Sequence, residues 1–208
     1  MSRDSYFTGY RQMVTKLRYG NTNTFLVRGS QANILIDTDY AGTMLAFYKA
    51  IKEQNVALKY ISYVLATHYH PDHIGLISEL MEQGVKLLLV ESQTAFVHYS
   101  DEIFARDKRL GYKSIDETHA TVISEGDSRS FLKELGIAGE IIATPSHSED
   151  SISFIIDDGI AIVGDLEPYE YLEAYDDNKK LKADWDKVMS YNPQVVYYAH
   201  ANEKYFLL

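Results

Sequence analysis

The chain is expected to adopt an α/β fold built from two similar halves, and three observations carry that expectation. Short aliphatic, β-branched runs alternate with stretches whose apolar positions recur every three or four residues, the patterning of strands interleaved with amphipathic helices. One pattern also occurs twice. An apolar run ending in an acid (NILID at Asp37, IAIVGD at Asp165) leads through helical sequence to an apolar run ending in histidine (YVLATH at His68, VVYYAH at His200), at spacings of 31 and 35 residues. Finally, 208 residues with no Gly/Ser-rich, Pro-rich or low-complexity linker read as one domain over 1–208, at roughly 150 residues per domain.

The elements follow in order. Asn23 to Arg28 and Ala32 to Ile36 form a hairpin around Gly29-Ser30. Ala41 to Gln54 is a helix with Met44, Leu45, Phe47, Tyr48 and Ile51 on one face. Tyr60 to Ala66 is a buried strand, followed by the loop THYHPDHIG, a helix from Ile74 to Glu82 and a strand from Val85 to Val90. Gln93 to Arg106 and Ser128 to Leu135 are helices; Ala138 to Ala143, Ser151 to Ile156 and Ile160 to Val163 are strands. The turn Asp157-Asp158-Gly159 joins the last two as a hairpin. Leu181 to Met189 is a helix turning Leu181, Trp185, Val188 and Met189 inward, and Val195 to Ala199 is the last strand. The apolar end Tyr205-Phe206-Leu207-Leu208 is expected to pack on the chain's own fold.

Composition excludes several functions. With no cysteine, a disulfide scaffold, a thiolate metal site and a cysteine nucleophile are ruled out. A net charge of −10 repels phosphate backbones and anionic lipid, so neither nucleic acid nor membrane surface is an expected partner. No window reaches the ~18 uninterrupted apolar residues of a membrane span, and MSRDSYFTGYRQ lacks the apolar core of a secretory signal. The expected location is cytoplasmic, and the oligomeric state is open.

The chemistry is concentrated in His68-Tyr69-His70-Pro71-Asp72-His73. Four ligand-type side chains within six residues, on a loop after a strand, can converge on two neighbouring ions from different directions. Imidazole and carboxylate without thiolate suit zinc, manganese or iron. His147 in TPSHSEDS, Asp165 in VGDLEP and His200 in YYAHAN stand at comparable strand ends. Five of the seven histidines thus fall on such loops; His98 and His119, in the irregular middle, are read as non-ligands. The four prolines, Pro71, Pro145, Pro168 and Pro193, flank the same loops, and rigid turns suit a preorganised metal site.

H-x-H-x-D-H, then a histidine in a TP-x-H turn, an aspartate closing a strand in GD and a histidine ending the last strand resemble, in that order, the metallo-β-lactamase-fold hydrolases. The resemblance runs from NTNTFLV to His200. It implies a four-layer αβ/βα sandwich with two metal ions, most simply zinc, at one edge. It implies His68, His70 and His147 on one ion, Asp72, His73 and His200 on the other, and Asp165 bridging them. Asp37 would support the site, and Asp72 would also relay a proton. Thr67, Ser146 and Ser148 are candidates to hold the imidazoles in one tautomer. The activity implied is hydrolysis by a water that the ion pair shares and activates.

Within that family the ligand set is similar to that of glyoxalase II-like thioesterases, but only ANEKYFLL follows His200, with little to hold glutathione carboxylates. The family's oxygen reductases carry glutamate where His70 stands. Its lactonases place a tyrosine three residues beyond the bridging acid; here that residue is Pro168, leaving Tyr169 or Tyr171 as candidate substrate contacts. The expectation is a hydrolase of a small-molecule ester, thioester or lactone. The alternatives are a phosphodiesterase on the same ions and an iron-dependent oxygenase or redox protein.

Overall fold

Two sheets carry the structure, a computed structural model that describes residues 13–174 and 178–206. The first has the strand order β1 (Val14–Arg18), β2 (Asn23–Arg28), β3 (Asn33–Ile36), β4 (Tyr63–Leu65), β5 (Lys86–Val90), β6 (Thr121–Ile123). The second contains β7 (Gly139–Ala143), β8 (Ile152–Ile156), β9 (Ile160–Ile162), β10 (Val195–Tyr197) and β11 (Lys204–Tyr205), in reverse spatial order from β11 to β7. The helices are α1 (Met44–Glu53), α2 (Pro71–Ile74), α3 (Ile77–Glu82), α4 (Asp101–Phe104), α5 (Glu125–Glu134) and α6 (Lys179–Met189).

Successive strand side chains point to opposite faces, and here both faces are buried. Phe25, Val27, Ile34, Ile36, Leu88 and Val90 of the first sheet meet Phe154, Ile156, Ile160 and Ile162 of the second in one cluster. Their neighbours Leu26, Leu35, Leu87 and Leu89 face outward onto Met44, Phe47 and Ile51 of α1 and Ile77 and Leu80 of α3. On the other side, Ile155, Ala161 and Val196 pack on Leu181, Trp185 and Val188 of α6. The layers therefore run helix, sheet, sheet, helix, which explains why the strands read as near-continuous apolar runs.

The repeated pattern is a repeated unit. β3–α1–β4 and β9–α6–β10 both return to a parallel strand, with Ile34 opposite Tyr63 and Ile160 opposite Val195. Each first strand ends in a left-handed residue: Asp37 at φ 58 and Gly164 at φ 57. At the second, a Cβ would lie 2.5 Å from Thr67 Oγ1, so glycine lets the two strand ends approach.

Several expectations are corrected. The helix over Ile74 to Glu82 is broken into α2 and α3, because a helical Gly75 packs on the backbone of residues 39–41, where a Cβ would meet Ala41 N at 2.1 Å. Gln93 to Arg106 is a 3-10 stretch over Glu91–Phe96 followed by the single turn of α4. The amide of Gln93 is drawn inward to the carbonyls of Ala66, Thr67 and Asp150. Leu45 is 83% exposed, not on the buried face of α1. α5 starts at Glu125, three residues before the expected Ser128, because Ser124 caps it by accepting the Asp127 N–H at 3.1 Å. β1, β6 and β11 were not expected. Phe206 packs on the α6 side as anticipated; Leu207 and Leu208 lie outside the described residues. Among the described residues no helix is long and apolar enough to cross a membrane.

Candidate metal centre

Both parallel crossovers deliver their strand ends to the same edge of the sandwich. The β4–α2 loop brings His68 and His70 and the single turn of α2 brings Asp72 and His73; the β7–β8, β9 and β10 ends bring His147, Asp165 and His200. Three groups converge: His68, His70 and His147; His68, His73 and Asp165; and Asp72, His73 and His200, the ligand-type atoms of each within 4.8 Å of one another. All seven residues expected at the site are thus brought together. His98 is not among them: it is exposed and pairs with Asp101 at 3.0 Å and Glu117 at 3.2 Å. His119 ends a 3-10 turn elsewhere and belongs to none of the three groups.

In the first group His70 Nδ1 lies 3.0 Å from His68 Nε2 and 3.2 Å from His147 Nε2. Two atoms each ~2.0–2.1 Å from one zinc ion at a tetrahedral angle are about 3.3 Å apart. Asp165 then divides its oxygens. Oδ2 is 3.8 Å from His68 Nε2 and 3.6 Å from His147 Nε2, whereas Oδ1 is 3.3 Å from His73 Nε2 and 3.2 Å from His200 Nε2. Asp72 Oδ2 completes the third group, 3.1 Å from His200 Nε2 and 3.9 Å from His73 Nε2.

These residues fit a pair of cations. His73 Nε2 and Asp165 Oδ1 are buried and have no hydrogen-bond partner among the described residues, and burying such atoms unsatisfied is costly. Burial opposes a charge on His73, yet Asp37 and Asp165 hold its pKa up at about 10. Burial, reinforced by the charge of His73, drives the pKa of His68 far down. Asp165, although buried, is held at about 2 by the positive charge of His73 beside it. Positive charge is what this pocket selects, and a proton on one imidazole meets that demand incompletely.

The supporting shell is built from short polar side chains. Asp37, fully buried, accepts the Thr67 N–H at 2.6 Å and the Thr67 hydroxyl at 2.8 Å, and its Oδ2 is 3.0 Å from His73 Nδ1. Thr67 Oγ1 is 3.3 Å from His68 Nδ1. Of the three hydroxyls expected to orient imidazoles, only that of Thr67 does so. Ser148 Oγ donates to Asp150, and Ser146 Oγ has no partner while its N–H donates to Asp184 at 2.7 Å. Asp150 in turn accepts the Tyr69 N–H at 2.6 Å, between two of the histidines. Gln93, Asp150 and Asp184 had no sequence signal beyond being polar residues near apolar runs. The carbonyl of Asn21 lies 3.2 Å from His200 Nδ1.

Beside Asp165, His147 and His200 opens a cavity of about 320 Å³, with Tyr171 and Tyr198 in its wall. Tyr169 does not line it: its ring packs edge-on against Trp185 at 5.2 Å and Phe206 at 5.3 Å. Tyr171 alone of the two expected tyrosines faces the space, and Tyr198 was not anticipated. Tyr99, 59% exposed, sits 5.8 Å from the His70 ring, its segment pinned by the Ser100 hydroxyl donating to the Tyr69 carbonyl at 2.6 Å.

Fold and site together define a member of the metallo-beta-lactamase superfamily: the family profile matches residues 17–200, and the chain belongs to that superfamily. A metallo-beta-lactamase family protein from Thermus thermophilus shares the fold at a TM-score of 0.67 and 20% identity, over 92% of this chain and 73% of that one. A Synechocystis protein bearing the name diflavin flavoprotein A 2 is 37% identical over 118 residues, 56% of this chain and 20% of its own. Thioesterase pkgB of Emericella nidulans is 24% identical over 178 residues, 78% of this chain and 44% of its own. The chain therefore spans less than half the length of these two relatives.

Proposed function

We propose that the chain is a dinuclear metal-dependent hydrolase acting on an ester, thioester or lactone of a small molecule. The reading rests above all on Asp165, whose two carboxylate oxygens face two different imidazole clusters. His68, His70 and His147 would hold one ion, Asp72, His73 and His200 the other, with Asp165 shared. The donor set suits zinc first, then manganese or iron. Bound there, such ions supply Lewis acidity and bring the ionisation of water towards neutral pH.

The chain's own groups do the rest. Asp37 and Thr67 fix the rings of His73 and His68, so that Nε2 of both faces inward. Asp72, at 32% side-chain exposure the more open of the two acids at the centre, takes the proton released during hydrolysis and passes it to solvent. Tyr171 contacts substrate from the cavity wall. The thioesterase name of the Emericella relative favours acyl transfer to water over phosphodiester cleavage. A second reading, iron-based redox chemistry, is favoured by the flavoprotein name of the Synechocystis relative; His70, where the resemblance expects glutamate for that chemistry, weighs against it.

Elemental analysis of untagged protein prepared without added metal tests both. The hydrolase reading expects about two zinc or manganese ions per chain, fewer in Asp165→Ala, together with ester, thioester or lactone hydrolysis. Iron with oxygen consumption would establish the second reading. A chain that takes up no metal even when soaked would refute both.

A further inference from the structure

The cavity beside the metal centre does not end at its far wall. A space of about 640 Å³ shares Pro168, Tyr171, Tyr198 and Ala201 with it and continues to Asn202 and Lys204. The two adjoin at these four residues and are taken together as one groove, from Asp165 and His200 towards the start of β11.

Two features say what this groove takes. The first is Tyr198. It is 4% exposed, and among the described residues its hydroxyl has no hydrogen-bond partner. Its ring stands 6.2 Å from that of Trp185, and burial raises its pKa, so the phenol keeps its proton. The Tyr169 backbone N–H beside it can only donate, which leaves the phenolic proton without an acceptor. Buried hydroxyls in folded proteins are paired, and Tyr198 is one of the residues of the wall shared by both parts of the groove.

The second feature is charge. Among the described residues of the lining, Lys204 is the only Lys or Arg, and it is engaged with Glu170. The lining also carries Glu167, and Glu203, whose carboxylate is paired with Lys16. A polyanionic arm, whether the phosphates of a coenzyme A thioester or the carboxylates of glutathione, finds no Lys or Arg of the described lining outside an ion pair and meets the Glu167 carboxylate.

We propose that this groove seats the non-reacting arm of the substrate, that the arm is uncharged and aromatic or aliphatic, and that a polar atom on it accepts a hydrogen bond from the Tyr198 hydroxyl. The proposal rests on the hydrolase reading only for the reacting end.

Its test has a readout that does not depend on turnover. Trp185 is the only tryptophan, and it packs beside Tyr198, so its fluorescence reports on the groove. N-Phenylbutanamide, uncharged and bearing one carbonyl acceptor, serves as the probe. Its titration should change Trp185 emission, with affinity weakened roughly 3–10-fold in Tyr198→Phe, the effect of one neutral hydrogen bond, and metal content unchanged. Phenyl butanoate should be hydrolysed at least about 10-fold more efficiently than butanoyl-coenzyme A or S-butanoylglutathione, and Glu167→Lys, an exposed change, should narrow that ratio. Equal probe affinity in Tyr198→Phe and wild type, or a preference for either anionic thioester, overturns the proposal. Tyr198-dependent binding without hydrolysis of any ester upholds the groove and sinks the hydrolase; hydrolysis indifferent to Tyr198 and Glu167 does the reverse.

Discussion

Replacing Asp37 by asparagine changes one atom and removes one charge, and the structure indicates what that does to a histidine it touches. Asp37 sits at φ 58, a conformation asparagine tolerates, so the backbone is not perturbed. The carboxylate serves the Thr67 N–H, the Thr67 hydroxyl and His73 Nδ1. An amide has one oxygen. With that oxygen on the Thr67 N–H, the new NH₂ faces Thr67 Oγ1 and His73 Nδ1. The hydroxyl can rotate, but His73 must then offer a lone pair at Nδ1 and carry its proton on Nε2. That is the atom facing Asp165 Oδ1 at 3.3 Å, and protonated it cannot ligate. The expected loss is 10–100-fold in affinity at the His73 side, typical for removing the partner of a ligating histidine. The metal-free chain should also lose about 2–4 kcal/mol, because charge-assisted hydrogen bonds are worth about 1.5–3 kcal/mol each and one donor loses its acceptor. Equilibrium dialysis against zinc measures the first quantity, and denaturant unfolding of the stripped protein measures the second. Wild-type zinc affinity in Asp37→Asn, within twofold, would refute the tautomer argument whatever the stability.

Other outcomes follow from the same structure. Gly75→Ala should cost more than about 3 kcal/mol or prevent folding, since its Cβ would lie 2.1 Å from the Ala41 nitrogen with only backbone to yield; thermal unfolding decides. Gln93→Ala should destabilise by about 1–3 kcal/mol, leaving the Asp150 and Ala66 carbonyls short of a donor inside the fold, as denaturant titration would register. His98 gives a pH signature: burial opposes its charge slightly, but Asp101 and Glu117 raise its pKa. Its contribution is therefore complete below the unfolded value of ~6.5 and fades as pH rises through the higher folded value. The pair is exposed, so the difference is under about 1 kcal/mol. His98→Ala should flatten that part of the stability–pH curve, and a curve unchanged by the substitution would contradict the pairing.

How much of this was legible in the sequence depends on what kind of force placed each residue. The buried strands were legible because each is apolar on both faces, and the paired crossovers because acid and histidine recur at matching strand ends. Ligand-type residues were legible because little else concentrates three histidines and an aspartate within six residues. Gln93 and Asp150 were not, since their importance lies in which carbonyl or amide they meet across the chain, a property of the folded backbone. The break at Gly75 was equally hidden: its apolar neighbours Ile74, Leu76 and Ile77 are all buried, so the periodicity ran on through a site where close backbone contact interrupts the helix. Tyr169 and Tyr171 were singled out by their closeness to Asp165 in the sequence, but the packing of Trp185 and Phe206 turns the Tyr169 ring away from the cavity, and nothing in the sequence pointed to Tyr198.

Every one of the three ligand-type groups mixes side chains from the two halves of the chain. His70 and His147, for example, meet across a separation of 77 residues. An ion bound there therefore acts as a removable cross-link, holding shut loops whose closure is entropically costly. Loaded, the halves should open to hydrogen exchange as one cooperative unit. Stripped by a chelator, they lose that tie and should exchange independently of one another.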